Sequence, residues 1–599
     1  MRHSKLAIIG SGASAIYCLR HIADNSELLL KQFQGILIFE KDTHMGFGMP
    51  YNPNTTDKYN LSNISSEEIP ALPQTFANWL RAQDKTYLEA LNVTSFPITD
   101  SKMYSRIALG YYFHEQFNIL IKTLKSSGFD VETYPEHQVN DIIPVAEDVI
   151  KIVTNQSEYI CNRVIISTGH NISKDDKPNI GYYGSPWPIQ KILPKSETYY
   201  NFEIGILGAS LSAFDVVSSL AHRHGTFKTE GNQLKFTSHK NAKHFKITLH
   251  AVEGWLPHLQ YEQEEPLREI YRHTTREAIL KLRNANGFLK IEDFFNAICR
   301  PALIKAFKKD QDKNMVKKLN DKQFCFEDFI ETMSQSHDYI DCFEGMKKEL
   351  PQAKISVIQD KPIHWMETLD DLMYCLNFHA ELLAAEDYLF FKTIVKPFLM
   401  SVIAAFPLES AQILLALHDA KFIDLVAGKV KINDATDKEV TSIEIEQKDQ
   451  SKITKNYKMF INCTGSDAIE LAQFPFKSLV NKGILSKAAS KFESIPDNIA
   501  HLVAKEKLYT KHSDTYLYTG GIAVDNAYRV IGSSSTVSPN IYDISFTHVH
   551  GCRPYSYGLQ ACNATSSIVI ESWLSPKTPK YSKISTQNIT EIYDSNAEL

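Results

Sequence analysis

A glycine-rich turn near the start of the chain limits the fold more than any other sequence feature. The apolar run Lys5 to Ile9 predicts a buried strand, the turn Gly10-Ser11-Gly12-Ala13-Ser14-Ala15 follows it, and a helix is predicted as far as about Asp24. A second apolar strand runs from Gly35 to Phe39. A strand, a G-x-G-x-x-A turn, a helix and a second strand in this order are typical of a βαβ unit that binds a dinucleotide.

Each small residue of this turn has a physical role. Gly10 permits the tight turn, Gly12 lets a pyrophosphate approach the backbone, and Ala15 lets the helix pack closely on the strand. The free N–H groups at the start of the helix would bind the phosphates. Glu40 follows the second strand, where a carboxylate can accept both hydroxyls of an adenosine ribose. An acid at this position disfavours a 2'-phosphate.

Two later strands end in the same Thr-Gly pair. Arg163 to Gly169 is an apolar strand followed by a small turn that can lie beside a dinucleotide, and Lys455 to Gly465 repeats this ending. Between them, Phe202 to Asp215 predicts a second strand-turn-helix unit, whose small residues are Gly205, Gly208, Ser210 and Ser212. Ser210 stands where the fingerprint has its second glycine, so close approach of a pyrophosphate is less assured here.

Composition and charge exclude several classes of protein. The chain has 599 residues, 43% hydrophobic and 22% charged, which predicts a folded globular protein. Its formal charge of -6 gives no general attraction to nucleic acid or anionic lipid. The nine cysteines are scattered and never spaced C-x-x-C, so we expect neither a metal site nor a disulfide framework. The sequence contains no run of about 20 apolar residues, so we expect no membrane span. We also expect the protein to be cytoplasmic.

The middle of the chain has a different character. Between Pro257 and Lys396 long amphipathic runs predict helices, for example Asp293 to Lys308, Phe324 to Met333 and Leu369 to Leu383. We interpret residues 259–395 as a mainly helical insertion.

Several separated motifs resemble one family. They are Gly46-Phe47-Gly48-Met49-Pro50-Tyr51, Asn60-Leu61-Ser62, Arg106-Ile107-Ala108-Leu109-Gly110-Tyr111-Tyr112, Pro186-Trp187, Glu253-Gly254-Trp255-Leu256-Pro257, the run Phe406 to Gly428, and Ser556-Tyr557-Gly558-Leu559-Gln560. With the two fingerprints, they resemble the FAD-NAD(P)-binding flavoproteins related to flavin-dependent N-hydroxylating monooxygenases. The resemblance covers the outer parts of the chain and matches the insertion poorly.

The resemblance implies an α/β fold with two Rossmann-like domains, one for FAD and one for NAD(P), interrupted by the helical insertion. The expected FAD-binding domain is discontinuous and comprises residues 1–195 and 451–599. The expected NAD(P)-binding-like domain comprises residues 196–258 and 396–450, on either side of the insertion 259–395.

The resemblance and the fingerprints together imply a set of site residues. The expected cofactor-binding residues are Gly10, Gly12, Ser14, Ala15, Glu40, Lys41, Gly48, Asn60, Arg106, Val139, Thr168, Gly169, Gly205, Gly208, Ser210, Ser212, Gly465, Gly558 and Leu559. The catalytic candidates are His44, Asn60 and Arg553, and Arg553 could hold a substrate carboxylate. His548 and His550 are further polar groups expected near the flavin.

The implied activity is that of an NAD(P)H-dependent FAD monooxygenase, which transfers oxygen to a small nucleophilic substrate such as an amine. Two alternatives stay open: a flavin dehydrogenase or reductase without oxygen insertion, and a non-catalytic flavoprotein sensor or scaffold. The sequence His250-Ala251-Val252-Glu253 lacks the arginine that would bind a 2'-phosphate. We therefore expect NADH to serve at least as well as NADPH. The substrate and the oligomeric state are left open.

Overall fold

The computed structural model describes residues 4–170, 175–335, 341–403, 406–433, 439–465, 469–511 and 513–574. The polar tail after Lys577, for which the sequence predicts no periodic structure, lies outside these ranges. The strands, in chain order, are β1 (Lys5–Ile9), β2 (Gly35–Phe39), β3 (Asp130–Tyr134), β4 (Val139–Ala146), β5 (Val149–Thr154), β6 (Glu158–Cys161), β7 (Arg163–Ile166), β8 (Tyr182–Tyr183), β9 (Glu203–Leu207), β10 (Gly225–Glu230), β11 (Gln233–Ser238), β12 (Lys246–Ala251), β13 (Ile423–Ala427), β14 (Lys429–Ile432), β15 (Thr441–Glu446), β16 (Lys452–Tyr457), β17 (Met459–Asn462), β18 (Lys487–Lys491), β19 (Leu508–Lys511), β20 (Asp514–Ile522), β21 (Arg529–Ile531) and β22 (Val537–Asp543).

The α-helices follow the same numbering. They are α1 (Ala13–Asp24), α2 (Ser26–Leu29), α3 (Phe76–Arg81), α4 (Lys85–Ala90), α5 (Arg106–Ser126), α6 (Leu211–His224), α7 (Arg276–Lys281), α8 (Ile291–Phe294), α9 (Arg300–Lys309), α10 (Lys313–Leu319), α11 (Phe326–Gln335), α12 (Cys342–Ile358), α13 (His364–Asn377), α14 (Ala385–Phe390), α15 (Lys396–Ile403), α16 (Leu408–Asp419), α17 (Lys477–Asn481), α18 (Ile499–Leu502), α19 (Phe546–Val549) and α20 (Leu559–Leu574). None of the helices in the described ranges is long and apolar enough to cross a membrane.

The first sheet has the strand order β21-β22-β7-β1-β2-β3. All neighbouring pairs are parallel except β21 with β22. β1 and β2 are apolar throughout and buried, as strands covered on both faces require. α1 and α20 run side by side, because Ser14 contacts Cys562 near their N-terminal ends while Gln32, beyond α1, contacts Trp573. Both helices therefore begin at the carboxyl edge of this sheet.

The second sheet is entirely parallel, in the order β13-β12-β9-β17-β8. Its core is separate from that of the first sheet and includes apolar residues of α6, α12 and α16. Two parallel sheets, each with its own glycine turn, confirm the predicted α/β fold class.

The helical middle region is also confirmed. Helices cover the three runs that the periodicity predicts, although α8 is followed by a π-helical turn (Phe295–Cys299) before α9. Most of the region, α7 to α11 with α13 and α15, shares one hydrophobic core with the first sheet. The insertion is thus an extension of the first core rather than an independent lobe.

The observed sheets differ from the predicted domain division at three strands. The prediction placed residues 1–195 and 451–599 in the first domain, but β8 and β17 pair within the second sheet, and β16 pairs with β15 of the predicted second domain. An apolar strand followed by Thr-Gly is visible in the sequence, whereas the sheet that it joins depends on long-range pairing. The rest of the division stays a prediction.

Candidate functional site

The first glycine turn connects three neighbouring strands of the first sheet. Gly10 has φ +100° and its N–H donates a 2.8 Å hydrogen bond to the Phe39 carbonyl oxygen at the end of β2. A Cβ on Gly10 would lie 2.5 Å from the carbonyl oxygen of Ser167, which follows β7. Only glycine fits this position, for reasons of both backbone conformation and space.

The helix that follows this turn leaves its first N–H groups available. Gly12 is the N-cap residue of α1, no side chain caps it, and the first turn of the helix contains no acidic residue. A Cβ on Gly12 would lie 3.1 Å from Gly48 Cα, so the loop around Gly48 passes directly over the turn. An uncapped N-terminus with a bare backbone suits a pyrophosphate.

Glu40 is held at the end of β2 beside the turn. The Ser11 N–H and hydroxyl donate to Glu40 Oε2 at 3.1 and 2.7 Å, and the Asp42 N–H donates to Oε1 at 3.1 Å. The carboxylate is only half-buried, and Oε1 has a further lone pair that could accept from a ribose hydroxyl. The assignment of Glu40 to the adenosine ribose of FAD stays a prediction, and Lys41 next to Glu40 is exposed.

Open space lies along the carboxyl edge of the first sheet. Thr168, Gly169 and Gly558 are exposed, and a Cβ on either glycine would meet no atom within 4 Å. Leu559, directly after Gly558, begins α20. Val139, predicted to contact the cofactor, is a half-buried residue at the start of β4. The N-termini of α1 and α20 and the first Thr-Gly turn thus lie together at this edge of the sheet, and they are called here the first cradle.

The second turn repeats this geometry in the second sheet. Gly208 has φ +111°, and its N–H donates a 2.8 Å hydrogen bond to the His250 carbonyl oxygen at β12. A Cβ on Gly208 would lie 3.2 Å from the Cys463 backbone, which follows β17. Ser210 is the N-cap residue of α6, again without a side-chain cap, and Gly465 is exposed with open space around it.

Two features separate the second turn from the first. By strand register, Ala251 occupies the position of Glu40, and Ala209 that of Ser11. Glu253, the last residue of the segment that lacks the arginine, is exposed, and its Oε2 lies 3.5 Å from Lys448 Nζ. Gly205 lies inside β9, where a Cβ would be 2.5 Å from the Phe460 ring, so this glycine serves strand packing rather than a cofactor.

Asn60, predicted to be catalytic, is fully buried between the two sheets. Its Oδ1 accepts from the Thr56 hydroxyl and the Asp57 N–H, both at 2.9 Å. Its Nδ2 donates at 3.0 Å to the Asp215 carbonyl oxygen and to the Ser219 hydroxyl. All four hydrogen-bonding positions of this amide are used. The structure therefore gives Asn60 a packing role and leaves it nothing to offer a substrate.

Arg553, proposed above as a clamp for a substrate carboxylate, is 1% exposed. Its Nη1 lies 2.6 Å from Glu381 Oε2, and its Nη2 donates to Asn526 Oδ1 at 2.7 Å. The guanidinium thus has a carboxylate partner inside the protein. His44, the third candidate, is exposed on the loop after β2, with its ring centre 6.3 Å from that of Phe47.

The two histidines before α20 are also held by protein groups. His548 is 2% exposed, and its Nδ1 lies 2.7 Å from Asp543 Oδ2. His550 Nε2 lies 2.9 Å from Lys396 Nζ on α15. Burial, Lys396 and Lys392 lower the pKa of His550 to about 3, so its imidazole is neutral and accepts from the lysine.

Arg106, predicted to bind the cofactor, begins α5 and crosses to the second sheet. Its Nη1 lies 2.6 Å from Asp215 Oδ2 on α6, and its Nη2 donates to the Leu61 carbonyl oxygen at 3.1 Å. Burial raises the pKa of Asp215 to about 6, although Arg106 acts in the opposite direction. Asp215 was not singled out from the sequence. Its spacing with Ser219 and Arg223, at every fourth residue along one face of α6, is the pattern that could have identified it.

Comparison with known proteins agrees with this geometry. Residues 7–171 match the model of the FAD-NAD(P)-binding family, and residues 275–403 match that of the YdhS-like middle domain. The predicted resemblance to FAD-NAD(P)-binding flavoproteins is thus confirmed over the first glycine turn, Glu40 and the first Thr-Gly turn. Fold and site together define a protein with a FAD-NAD(P)-binding domain, whose cofactors are FAD and NAD(P).

The particular relatives are as follows. The chain is 26% identical to the uncharacterized protein YdhS of Escherichia coli K12 over 489 residues, which are 79% of this chain and 85% of YdhS. Among solved structures it is similar to the ornithine hydroxylase PvdA of Pseudomonas aeruginosa, at 10% identity and a TM-score of 0.43, covering 95% of this chain and 98% of PvdA. It is also similar to the L-lysine 6-monooxygenase of Pseudomonas syringae, at 13% identity and a TM-score of 0.40, covering 95% and 99% of the two chains.

Proposed function

We propose that this protein is an NAD(P)H-dependent FAD monooxygenase that transfers oxygen to a small nucleophilic substrate such as an amine. The observation that carries the proposal is the first cradle, where a bare glycine turn, an uncapped helix and an oriented Glu40 meet at one sheet edge. When bound there, FAD would supply hydride acceptance and oxygen transfer.

The chain's own residues would hold and orient that cofactor. The N-termini of α1 and α20 would face its phosphates and its ring, Glu40 its ribose, and Gly169 would leave space beside it. The second turn, with Ser210 and Ser212 at the start of α6, would receive the nicotinamide dinucleotide. In the proposed domain division each turn belongs to its own sheet, with β8 and β17 assigned to the second.

The oxygen-transfer step is supported by the family-specific motifs named in the sequence, from Gly46 to Tyr51 and from Ser556 to Gln560. Neither Asn60 nor Arg553 is available to contact a substrate, so we propose no catalytic side chain among these two. The chemistry would depend on position and exclusion of water rather than on a side-chain nucleophile.

A matched pair of substitutions tests the two cofactor positions. Ser14 and Ser212 are each the second residue of their helix, and neither helix has an acid in its first turn. An aspartate there favours the helix through its dipole, yet repels a phosphate at the same N-terminus. Ser14→Asp should therefore fold and purify without flavin absorbance. Ser212→Asp should keep its flavin but bind NADH at least tenfold more weakly.

The activity itself is tested on the wild-type protein with bound FAD. Anaerobic addition of NADH or NADPH should bleach the flavin absorbance, and oxygen uptake with an amine substrate should exceed the hydrogen peroxide released. Bleaching without oxygen insertion for any amine of a panel would indicate a reductase. Failure of both nucleotides to bleach the flavin would contradict the enzyme proposal and favour a sensor or scaffold.

A further inference from the structure

The segment 46–60, called here the coupling segment, touches the first glycine turn and the helix α6 that follows the second. At its start, the Gly46 N–H donates a 3.0 Å hydrogen bond to the Ser11 hydroxyl, the same hydroxyl that donates to Glu40. Gly48 then passes over Gly12, where a Cβ on either glycine would lie within 3.2 Å of the other residue's Cα. The segment is therefore in contact with the surface at which the FAD pyrophosphate would lie.

Internal hydrogen bonds make the coupling segment stiff. The Thr55 and Thr56 N–H groups each donate to the Asn52 carbonyl oxygen at 2.9 Å. The Thr56 hydroxyl donates to Asn60 Oδ1, and the Asn60 N–H donates to the Asp57 carbonyl oxygen at 3.0 Å. A loop bonded to itself in this way has fewer accessible backbone conformations.

Residues at the far end of the coupling segment bind to one face of α6. Arg223 Nη1 and Nη2 lie 2.8 and 3.0 Å from the two oxygens of Asp57, a bidentate ion pair. The Tyr59 and His222 rings stack at 4.0 Å with an angle of 11°. The Ser218 hydroxyl donates to the Tyr59 carbonyl oxygen at 3.1 Å. The contacts repeat along one side of α6, as far as its C-terminal turn.

Arg223 lies too far from the second turn to bind a nucleotide there. It is thirteen residues after Ser210, about 20 Å along the helix axis from the N-terminus at which a dinucleotide would bind. Its guanidinium is also committed to Asp57. Arg223 therefore fixes where α6 stands, and it does not bind the nucleotide.

We propose that the coupling segment links the two cofactor sites, so that FAD at the first turn strengthens nucleotide binding at the second, with Arg223 as the positioning residue. The inference rests on the proposed function of the two turns. FAD would fix Gly46 to Gly48 against the turn, the stiff segment would carry this restraint to Asp57 and Tyr59, and α6 would be held with its N-terminus in the binding position. By linkage, the nucleotide must strengthen FAD binding by the same factor.

The test compares NADH binding to FAD-bound and FAD-depleted protein by calorimetry. We expect the wild-type protein to bind NADH at least tenfold more tightly when FAD is bound. Arg223→Met keeps the apolar stem but removes both hydrogen bonds to Asp57. In this variant the NADH affinities with and without FAD should differ by no more than about twofold. Its FAD affinity in the absence of NADH should be unchanged. The matched control is Arg20→Met, which removes a half-exposed ion pair with Asp24 on α1 and should keep the wild-type ratio.

Equal NADH affinity with and without FAD in the wild type, or an unchanged ratio in Arg223→Met, would overturn the coupling. Tyr59→Leu, which removes the stack with His222, provides a second variant if Arg223→Met unfolds. If NADH does not bind at all, the proposed function of the second turn fails, and hydrogen exchange still tests the coupling. Removal of FAD must then speed amide exchange in residues 215–223 of the wild type, whereas it should not change the exchange rate of these residues in Arg223→Met. An unchanged rate in the wild type refutes the coupling.

Discussion

The two glycine turns have the same backbone geometry and differ in their side chains. In each, a glycine with positive φ donates a 2.8 Å hydrogen bond to the neighbouring strand and precedes an uncapped helix. Only the first has an acid, Glu40, with a serine that orients it, while Ala251 and Ala209 stand at these positions in the second. Both turns thus present the same uncapped helix N-terminus, whereas an oriented carboxylate is present in the first turn alone.

The largest difference should appear when the two glycines are replaced by alanine. Gly10→Ala combines a φ of +100° with a Cβ 2.5 Å from the Ser167 oxygen, and should lower the free energy of unfolding by about 3 kcal/mol or more. Gly208→Ala, with 3.2 Å to its nearest neighbour, should lose about 1–2 kcal/mol. Urea denaturation of both variants measures the losses. Equal losses would mean that the two turns are equally crowded.

The Arg106–Asp215 ion pair, which joins α5 to α6, should contribute nearly as much to stability as Gly10 does. Asp215→Ala leaves the Arg106 guanidinium buried without its carboxylate, and should cost about 3 kcal/mol of stability. Asp215→Asn retains an acceptor for Arg106 and is the conservative control, which we expect to lose less. If the alanine variant is as stable as the wild type in the same denaturation experiment, the ion pair does not hold the two regions together.

Introducing an acid into the second turn should alter which nucleotide the protein prefers. Because the second turn has neither an acid nor an arginine at the ribose position, NADH and NADPH should reduce the flavin of the wild-type protein at similar rates. Ala251→Glu should favour NADH at least tenfold, about 1.4 kcal/mol, by repelling the 2'-phosphate. Stopped-flow anaerobic reduction measures the ratio. A strong NADPH preference in the wild type would contradict the comparison of the two turns.

The last prediction concerns pH. Since burial raises the pKa of Asp215 to about 6, the folded protein holds this proton more tightly than the unfolded chain does. The stabilising contribution is present at low pH and is lost as the pH rises through 6. The wild type should therefore lose stability relative to Asp215→Asn between pH 4 and pH 6, as seen in thermal unfolding at each pH. A difference that stays constant over this interval would argue against the shift.

The sequence contains most of the first site because its determinants are local. Gly10, Gly12 and Glu40 lie within one strand-turn-helix-strand unit, and the Thr-Gly endings after β7 and β17 are short motifs. The roles of Asn60 and Arg553 were not predictable in the same way. Arg553 meets Glu381, 172 residues away, and Asn60 meets Ser219 across the junction, so neither partner is visible from its neighbours in sequence.

The pairing of α1 with α20 has a consequence for how the chain comes into being. Ser14 and Cys562, which touch across these helices, are 548 positions apart, and the middle helices complete the same core. A nascent chain emerging from the ribosome carries its first phosphate-binding turn long before the helix that flanks it. The first cradle is therefore completed only after the middle region and α20 have been synthesised, and a flavin could be held there only from that point on.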